Sequence, residues 1–466
     1  MEITRLSSGI ILSLTILINL TSFVLSQLNG LQTLDIYSKI ATDPHATSSF
    51  TTDFGNLSIS SPAAVFYPSS PDDIAMLVRF SYTSMKPFTI SPRGVGHSMN
   101  GQTFAPDGIV IDMLSLGRGH DDCRVTVITD GRVPYADVGG EQHWIDVLNA
   151  TLKQGLMPRV FTDYLYATVG GTISNAGIGG QAFRNGPQTS HVYELDVITG
   201  TGEMVTCSRD READLFYAAL GGLGQFGVIT KARIALEPAK KMARWVRLIY
   251  TDVELFTRDQ EKLISLEKTS TGFDFVEGQV ILSEAQVPGI KSSFFSDSDI
   301  EKITRLAAGN NGPIYLLEGA AYYDYSTATS VAENVTLLLE ELHYEYGFAF
   351  SRDVPLVDFL DRVHYEETFL RWDDKMSAVI PTEEVFYAIS ILWSAVANDI
   401  KILENENKKI LTICENSNFG CKEYLPHYTN MADWQKHFGN KWSKFVSRKK
   451  KFDPKALMSP GQQIFR

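Results

Sequence analysis

Residues 91–102, which read S-P-R-G-V-G-H-S-M-N-G-Q, constrain the fold more than any other stretch. Their glycines allow backbone turns that a Cβ would block, and Pro92 is expected to break the element before it. The residues at 85–90 and 108–113 predict a strand on each side. His97 should therefore lie on a glycine-rich loop between two strands, where backbone N–H groups can approach an anionic ligand. The loop alone supports a site weakly, because a single histidine in such a turn is more often structural.

Two further glycine-rich stretches follow this loop. Residues 162–180 read T-D-Y-L-Y-A-T-V-G-G-T-I-S-N-A-G-I-G-G, and residues 221–227 read G-G-L-G-Q-F-G. Three such loops together indicate a large phosphate-bearing cofactor. The sequence contains no G-x-x-x-x-G-K-[S/T], no strand-following G-x-G-x-x-G with a downstream acid, and no G-x-S-x-G. A P-loop, a Rossmann site and a hydrolase nucleophile elbow are therefore not supported.

Length and charge narrow the class of protein. A chain of 466 residues is too long for one ordinary core and predicts two domains. The net charge of −13 argues against nucleic acid as a partner, because phosphate binding needs a basic surface. The only dense basic run lies at residues 448–451, and we expect it to form a solvated face.

The pattern of predicted elements changes near residue 240. Before it, strands and helices alternate; Ser70 and Pro71 predict a helix start, and a helix is also expected at residues 30–40. After it, glycine becomes rarer and the pattern predicts helices over one face of an antiparallel sheet. The elements expected there are strands at 244–250, 273–282, 313–323 and 385–391, and helices at 252–265, 332–346 and 399–414.

The N-terminus has the composition of a secretory signal at residues 1–26. A short basic start with Arg5 precedes an apolar run at 9–20 and small residues at 22–26. A membrane anchor is the alternative, but polar residues interrupt the short run, so we favour cleavage after Ser26. Secretion fits the Asn-x-Ser/Thr sequons at Asn56, Asn149 and Asn334.

Four cysteines occur, at Cys123, Cys207, Cys414 and Cys421. None of them forms a Cys-x-x-Cys spacing, so a zinc or iron–sulfur site is not expected, and no metal ligands are assigned. An oxidising compartment would permit disulfides. The sequence does not decide which cysteines pair.

Together, the glycine-rich stretches and several other motifs resemble a known family. The three glycine-rich stretches, L-D-V-I-T-G-T-G-E-M-V-T-C-S, Y-L-P-H-Y-T and S-P-G-Q-Q-I-F closely resemble plant cytokinin dehydrogenases, flavoproteins of the vanillyl-alcohol-oxidase (VAO) type. The resemblance implies an α+β, two-domain PCMH/VAO-type FAD-binding fold with an α+β cap domain on an antiparallel sheet. The implied units are a signal at 1–26, an FAD-binding domain at 27–240, a cap at 241–420 and a returning segment at 421–466.

The resemblance also implies a cofactor and its site. In the family the histidine of G-H-S carries FAD covalently, which here is His97, and a neutral imidazole is a suitable nucleophile for that bond. The other positions that match FAD contacts of the family are Pro92, Gly94, Val95, Gly96, Ser98, Gln102, Asp163, Thr168, Ser174, Ile178, Val228, Tyr424, Ser459 and Gln462.

Two acids match residues of the family's substrate site. Asp163 matches the catalytic acid, and a carboxylate beside Phe161 and Leu165 can accept a substrate N–H and have its pKa raised by desolvation. A turn or N-cap acid is the alternative. Glu277 matches a glutamate at the substrate entrance that would bond the purine ring. From the sequence alone Glu277 is a half-exposed strand acid.

The activity implied by the resemblance is oxidation of the N6 side chain of cytokinins such as isopentenyladenine or zeatin. The imine product would hydrolyse to adenine and an aldehyde. Electrons would pass to a quinone-type acceptor or slowly to oxygen. A monomer without nucleic acid partners is expected, without membrane association after signal cleavage. It would be secreted to the apoplast, with the vacuole or the endoplasmic reticulum lumen as alternatives.

The chain departs from the family after His364. There the family carries a longer segment with His-Pro-Trp-Leu-Asn-Leu, which forms part of the cap sheet and the substrate wall. Here residues 361–364 are followed almost at once by L-R-W-D at 370–373. The cap thus lacks a segment, through a lost exon in the gene model or in a diverged paralogue. Three hypotheses stay open: an active enzyme with a repacked cap, a flavin-binding protein with impaired catalysis, and another VAO-type oxidase, which T-D-Y-L-Y and Glu277 disfavour.

Overall fold

The computed structural model describes residues 30–118, 124–131, 133–266, 272–290, 294–362, 376–377, 379, 400–417 and 421–465. The predicted signal, Cys123, His364 and the strand predicted at 385–391 lie outside these residues. None of the helices in the described ranges is long and apolar enough to cross a bilayer.

The first sheet presents the His97 loop. Its order is β1-β2-β4-β3, with β2 and β3 parallel to β4 and β1 antiparallel to β2. Pro92 lies inside β3 instead of ending the element before it, and the strand predicted at 85–90 starts only at Ile90. An edge strand tolerates proline because one side of its ladder is unpaired. The strands are β1 Ile40–Ala41, β2 Ala64–Phe66, β3 Ile90–Arg93 and β4 Ile109–Asp112.

The second sheet is antiparallel and carries the other two glycine-rich stretches at its margins. Its order is β5-β6-β10-β8-β9, and β7 pairs with the far end of β10. Residues 221–227 lead directly into β10, the longest strand. The strands are β5 Val125–Ile128, β6 Tyr135–Gly139, β7 Leu156–Pro158, β8 Val192–Thr199, β9 Met204–Ser208 and β10 Gly227–Pro238.

Short helices connect and cover these two sheets. The helix predicted after Ser70 is confirmed, and Ser70 and Asp73 form a reciprocal capping box at its start. The helix predicted at 30–40 is wrong, because the stretch forms turns, a short 3-10 helix at Tyr37–Lys39 and the start of β1 at Ile40. Leu31 and Ile36 are both buried, and their spacing of five does not fit one helical face. The helices are α1 Pro44–Ser48, α2 Pro71–Thr83, α3 Trp144–Leu152, α4 Val169–Asn175, α5 Ala182–Asn185 and α6 Ala213–Ala219.

The third sheet confirms the predicted antiparallel pairing, but helices pack on both of its faces and not on one as predicted. Its order is β12-β13-β11-β14, and β11 pairs with β13 without a register shift. Apolar residues of α7 and α9 pack on one face, and the other face is buried against the first part of the chain. The elements are β11 Met242–Tyr250, α7 Val253–Ser265, β12 Phe275–Ile281, α8 Asp297–Gly309, β13 Ile314–Tyr323, α9 Ala328–Glu340, β14 Ala349–Pro355 and α10 Leu356–Leu360.

The last helices are α11 Ile400–Asn416, α12 Met431–Phe438 and α13 Trp442–Phe452. The helix predicted at 399–414 is confirmed as α11. A disulfide joins Cys414 to Cys421. Cys207 is buried as a free thiol, and burial raises its pKa to about 12, so it is inert. Phe445 of α13 packs on Phe226, with ring centroids 4.9 Å apart.

The prediction that residues 448–451 form a solvated face is wrong for half of that run. Arg448 and Lys449 are buried. The ammonium of Lys449 lies 2.8 Å from the carboxylate of Asp453 and donates to the side-chain and backbone oxygens of Gln225 at 2.9 and 3.0 Å. Buried charges are tolerated when they are paired in this way. This contact fixes the C-terminal segment beside the glycine loop at 221–227.

We expect Lys449→Met to destabilise the protein by about 3 kcal/mol, because removal of one partner leaves a buried charge uncompensated. Urea unfolding followed by tryptophan fluorescence measures the change. Lys450→Met, at an exposed neighbour on the same helix, is the matched control. Equal stability of the two variants would contradict the role given to Lys449.

Candidate functional site

The loop that holds His97 is tied to the segment before it. Asp53 accepts hydrogen bonds from the Ser98 hydroxyl at 2.7 Å and from the Gly101 N–H at 2.6 Å. The Arg93 guanidinium donates to the carbonyl of Thr52 at 2.7 Å. Backbone bonds join the same two stretches. The loop conformation is therefore fixed by residues about forty positions upstream, and sequence reasoning did not identify them.

Glycine is required at two positions of this loop. Gly96 has a φ of +72°, in the left-handed region that side chains disfavour. A Cβ on Gly94 would overlap the side chain of Thr168. The close approach at Gly94 brings the first and second glycine-rich stretches together.

The imidazole of His97 lies between two aromatic rings. Phe54 stacks on it with centroids 4.2 Å apart, and Tyr164 stacks on it at 4.4 Å. Burial lowers the pKa of His97, so the ring is neutral near pH 7. Tyr164 directly follows Asp163, and the stacked ring therefore links His97 to the predicted catalytic acid.

The C-terminal segment completes the same region. Ser459 donates its hydroxyl to the carbonyl of Gly224 at 3.0 Å, and its N–H bonds the carbonyl of Ile90 at 2.9 Å. The hydroxyl of Tyr424 accepts the N–H of Gly177 at 3.3 Å. Tyr424 and Ser459 are thus joined to the second and third glycine-rich stretches and to the strand that leads into the first.

Several of the predicted positions hold the protein's own backbone. The Gln102 side chain accepts the N–H groups of Met99 and Asn100, at 3.2 and 2.8 Å. The Ser174 hydroxyl bonds the carbonyl of Gly170 at 2.7 Å within α4. The remaining positions lie along the same loops and strands. Pro92 and Val95 are half-buried, and the others are buried: Gly96, Thr168, Ile178, Val228 and Gln462.

A buried cluster of carboxyl groups lies where the third sheet meets residue 163. Glu277 is only 3% exposed, so the expectation of a half-exposed acid is wrong. Both faces of the third sheet are covered, which removes the exposed side that strand alternation predicts. Asp163 and Glu318 are buried with it. Burial and the nearby charge of Asp163 raise the pKa of Glu277 well above its ordinary value.

Arg362 joins this cluster and is a site residue that sequence reasoning missed. Its guanidinium nitrogens lie 3.7 Å from Asp163, 3.5 Å from Glu277 and 3.3 Å from Glu318. Burial alone would raise the pKa of Glu318, but Arg247 and Arg362 lower it to about 2. The only signal in the sequence was the position of Arg362 in residues 361–364, directly before the departure from the family.

The arrangement can accept a proton at a defined place. Asp163, on the second glycine-rich stretch, lies beside the guanidinium of Arg362 and near Glu277, whose raised pKa favours its protonated form. The neutral imidazole of His97 lies on the first stretch, stacked on the neighbour of Asp163, Tyr164. Such a pair of carboxyls with different environments is typical of acid–base sites.

Comparisons with known proteins identify the family to which the chain is similar. The family model described as "Cytokinin dehydrogenase 1, FAD and cytokinin binding" matches residues 240–371 and 370–465, and that of an FAD binding domain matches residues 62–208. Cytokinin dehydrogenase 6 of Oryza sativa subsp. japonica is 48% identical over 92% of each chain. Cytokinin dehydrogenase 4 of Arabidopsis thaliana is 40% identical over 98% of each.

A solved structure supports the fold. A VAO-type flavoprotein from Myceliophthora thermophila matches with a TM-score of 0.60 at 13% identity, covering 85% of this chain and 78% of that one. This likeness confirms the predicted fold class.

The comparisons also agree with a shortened cap. The alignment with the rice relative spans 484 positions although this chain has 466 residues, so the relative has residues without a counterpart here. The cytokinin-binding family model matches this chain in two parts that meet at residues 370–371, close to the place after His364 where a segment is predicted to be missing. The similarity nevertheless extends over nearly the whole chain at 40–48% identity. The chain therefore belongs to the cytokinin dehydrogenase family.

Proposed function

We propose that this protein is an FAD-dependent cytokinin dehydrogenase that oxidises the N6 side chain of isopentenyladenine or zeatin-type cytokinins. The observation that carries the proposal is the buried position of Asp163 between the His97 loop and the carboxyl cluster of the third sheet. Family membership supports the substrate class.

The residues present fit an FAD. The Ser91 hydroxyl is buried and has no hydrogen-bond partner among the residues that the structure describes, so it has a donor to offer a ligand. The glycine-rich stretches offer backbone N–H groups to a pyrophosphate. The residues that we propose to hold the cofactor are His97, Pro92, Gly94, Val95, Gly96, Ser98, Gln102, Asp163, Thr168, Ser174, Ile178, Val228, Tyr424, Ser459 and Gln462.

His97 is proposed as the covalent attachment point. Its lowered pKa supports this role, because only the neutral imidazole has a free lone pair to form the bond. Stacking between Phe54 and Tyr164 restricts the ring plane, which reduces the orientations that the nucleophile must search.

Phe54→Ala should lower the fraction of protein with covalent flavin, since one face of the imidazole loses an aromatic contact of about 1 kcal/mol. Flavin fluorescence of the denatured protein in a gel measures that fraction. Leu57→Ala, in the same segment and partly exposed, is the control. Full covalent loading of Phe54→Ala would show that stacking does not position His97.

The chemistry requires a proton acceptor and a hydride acceptor. Bound FAD would supply the hydride acceptor as the carbon next to N6 is oxidised. Asp163 accepts the hydrogen bond of the N6 amine and takes its proton when the C=N bond forms. Water then adds to the imine, which releases adenine and the side-chain aldehyde. Glu277 stays protonated beside Asp163. We propose this role for Glu277 in place of the contact with the purine ring that the family resemblance implied.

The remaining features of the protein are part of the same proposal. We propose a signal at 1–26, an FAD-binding domain at 27–240, a cap at 241–420 and a C-terminal segment at 421–466. The mature monomer would be secreted and glycosylated. It would pass electrons to a quinone-type acceptor or slowly to oxygen.

Steady-state assay of the purified chain with isopentenyladenine and a quinone acceptor tests the function. The expected products are adenine and the aldehyde in equal amounts. The shortened cap favours one competing possibility, a flavin-binding protein of this fold with impaired catalysis. Yellow protein without aldehyde formation would establish that alternative and overturn the proposed activity.

A further inference from the structure

Three charged side chains form a row across the buried face of the third sheet. Arg247 of β11 is directly opposite Glu318 of β13, and Glu318 is opposite Glu277 of β12. All three are buried. Arg247 lies 3.1 Å from Glu318. A row of buried charges needs compensation along its whole length.

Arg362 lies over the Glu277 end of this row. It follows α10, and the rings of Phe275 and Phe359 lie 4.3 Å from its guanidinium carbon. One nitrogen donates to the carbonyl of Phe359 at 3.2 Å. Enclosure by two rings and a carbonyl holds the guanidinium in place, and its free donors point to the carboxyl groups.

The buried cluster has no net charge when one of its carboxyl groups holds a proton. Three carboxyls, on Asp163, Glu277 and Glu318, face two guanidiniums, on Arg247 and Arg362. Burial alone would lower the pKa of Arg362, but the charges of Glu318, Glu277 and Asp163 raise it above its ordinary value. Both guanidiniums therefore stay charged, and a single bound proton makes the cluster neutral.

Other titratable groups surround the cluster, and the balance counts only the groups joined by its ion pairs. Burial raises the pKa of the Tyr322 phenol, which stays neutral and accepts from Gln181 at 3.1 Å. The indole N–H of Trp245 donates to Glu318. Asp361 and Tyr166 form a pair at 3.4 Å next to the cluster.

We propose that Arg362 is a positioning residue that keeps Asp163 ionised, and hence able to accept the substrate N–H, while Glu277 retains the single proton of the cluster. This inference rests on the proposed function. The position of Arg362 supports it, since it is the one guanidinium that contacts all three acids among the ion pairs of the described residues. The proton belongs on Glu277 and not on Glu318, because Glu318 is held between both guanidiniums whereas Glu277 contacts only Arg362 of the two. Asp163 also contacts only Arg362 of the two, but burial and the charge of Asp163 raise the pKa of Glu277 well above its ordinary value.

Arg362→Gln is the direct test, because it removes the charge and keeps hydrogen-bond donors. The cluster should then take up a second proton at a higher pH than in the wild type. The acid limb of the pH profile of kcat/KM should move to a pH about one unit higher. At a pH below the limb, kcat/KM should therefore be about tenfold lower than in the wild type. Arg362→Lys should restore most of the wild-type limb. Arg244→Met is the matched control. Arg244 is on the same strand as Arg247, and its replacement breaks a surface ion pair with Asp353 at 2.6 Å.

Infrared spectroscopy gives a readout that does not depend on turnover. At pH 7 the wild type should show the carbonyl band of one buried protonated carboxyl, and Glu277→Gln should abolish that band. Arg362→Gln should show two. An inactive wild type with one such band would refute the proposed function and leave this inference supported.

Two results would overturn the inference. One is an Arg362→Gln variant whose kcat/KM profile has the same acid limb as that of Arg244→Met and whose infrared spectrum, like that of Arg244→Met, shows a single protonated-carboxyl band. The other does not involve Arg362→Gln, and so holds even if that variant does not fold. A wild type with no protonated buried carboxyl at pH 7, or with one that persists in Glu277→Gln, excludes the assigned proton.

Discussion

Replacement of Asp163 by asparagine should leave FAD bound and lower kcat by about 10²-fold or more, because a general base typically contributes 10²–10⁴-fold. The amide keeps the size of the side chain and its place beside Arg362, but it cannot take the proton of the N6 amine. The kinetics of isopentenyladenine oxidation with a quinone acceptor, together with the visible flavin spectrum, measure both parts of this expectation.

Asp137→Asn is the control for this variant. Asp137 forms a bidentate pair with Arg233 at 2.7 and 2.8 Å on the second sheet and is not a member of the cluster. It should alter stability slightly and leave kcat unchanged. If Asp163→Asn retains wild-type turnover with flavin bound, Asp163 is not the proton acceptor.

His97→Ala should abolish covalent flavin. Without the imidazole no side chain on the loop offers a neutral ring nitrogen as the nucleophile, so FAD should be released when the protein is precipitated with acid. The yellow colour should then appear in the supernatant, whereas wild-type protein should keep it in the pellet. Comparison of absorbance in the two fractions measures the result.

His143→Ala provides the matched histidine control. His143 lies at the start of α3, is partly exposed and contacts Asp146 at 3.2 Å. Its replacement should leave the flavin in the pellet. Retention of flavin by His97→Ala would assign the covalent bond to another residue.

The local sequence pattern predicted those parts of the site that lie within one stretch. The glycines around His97 and the run at 162–180 indicate loops because left-handed or crowded backbone requires glycine there. The resemblance of these stretches to a family added the roles of individual side chains. Antiparallel pairing after residue 240 also followed from the pattern, since it depends on strand and helix periodicity.

Long-range contacts were not predictable from the pattern. Phe54 and Tyr164 are separated from His97 by 43 and 67 positions, and no local periodicity predicts that three rings stack. Lys449 looks solvated in its basic run because its partners are not all nearby: Gln225 is on a distant loop. Arg362 required both the strand register and the packing of α10 before its three carboxyl partners were evident.

A cytokinin should reduce the bound flavin of this chain despite the shortened cap. Anaerobic mixing of the purified holoprotein with isopentenyladenine tests it directly, without any external acceptor. The yellow flavin absorbance should bleach, and one adenine should be released per flavin. Flavin that stays oxidised in the presence of excess isopentenyladenine would contradict it.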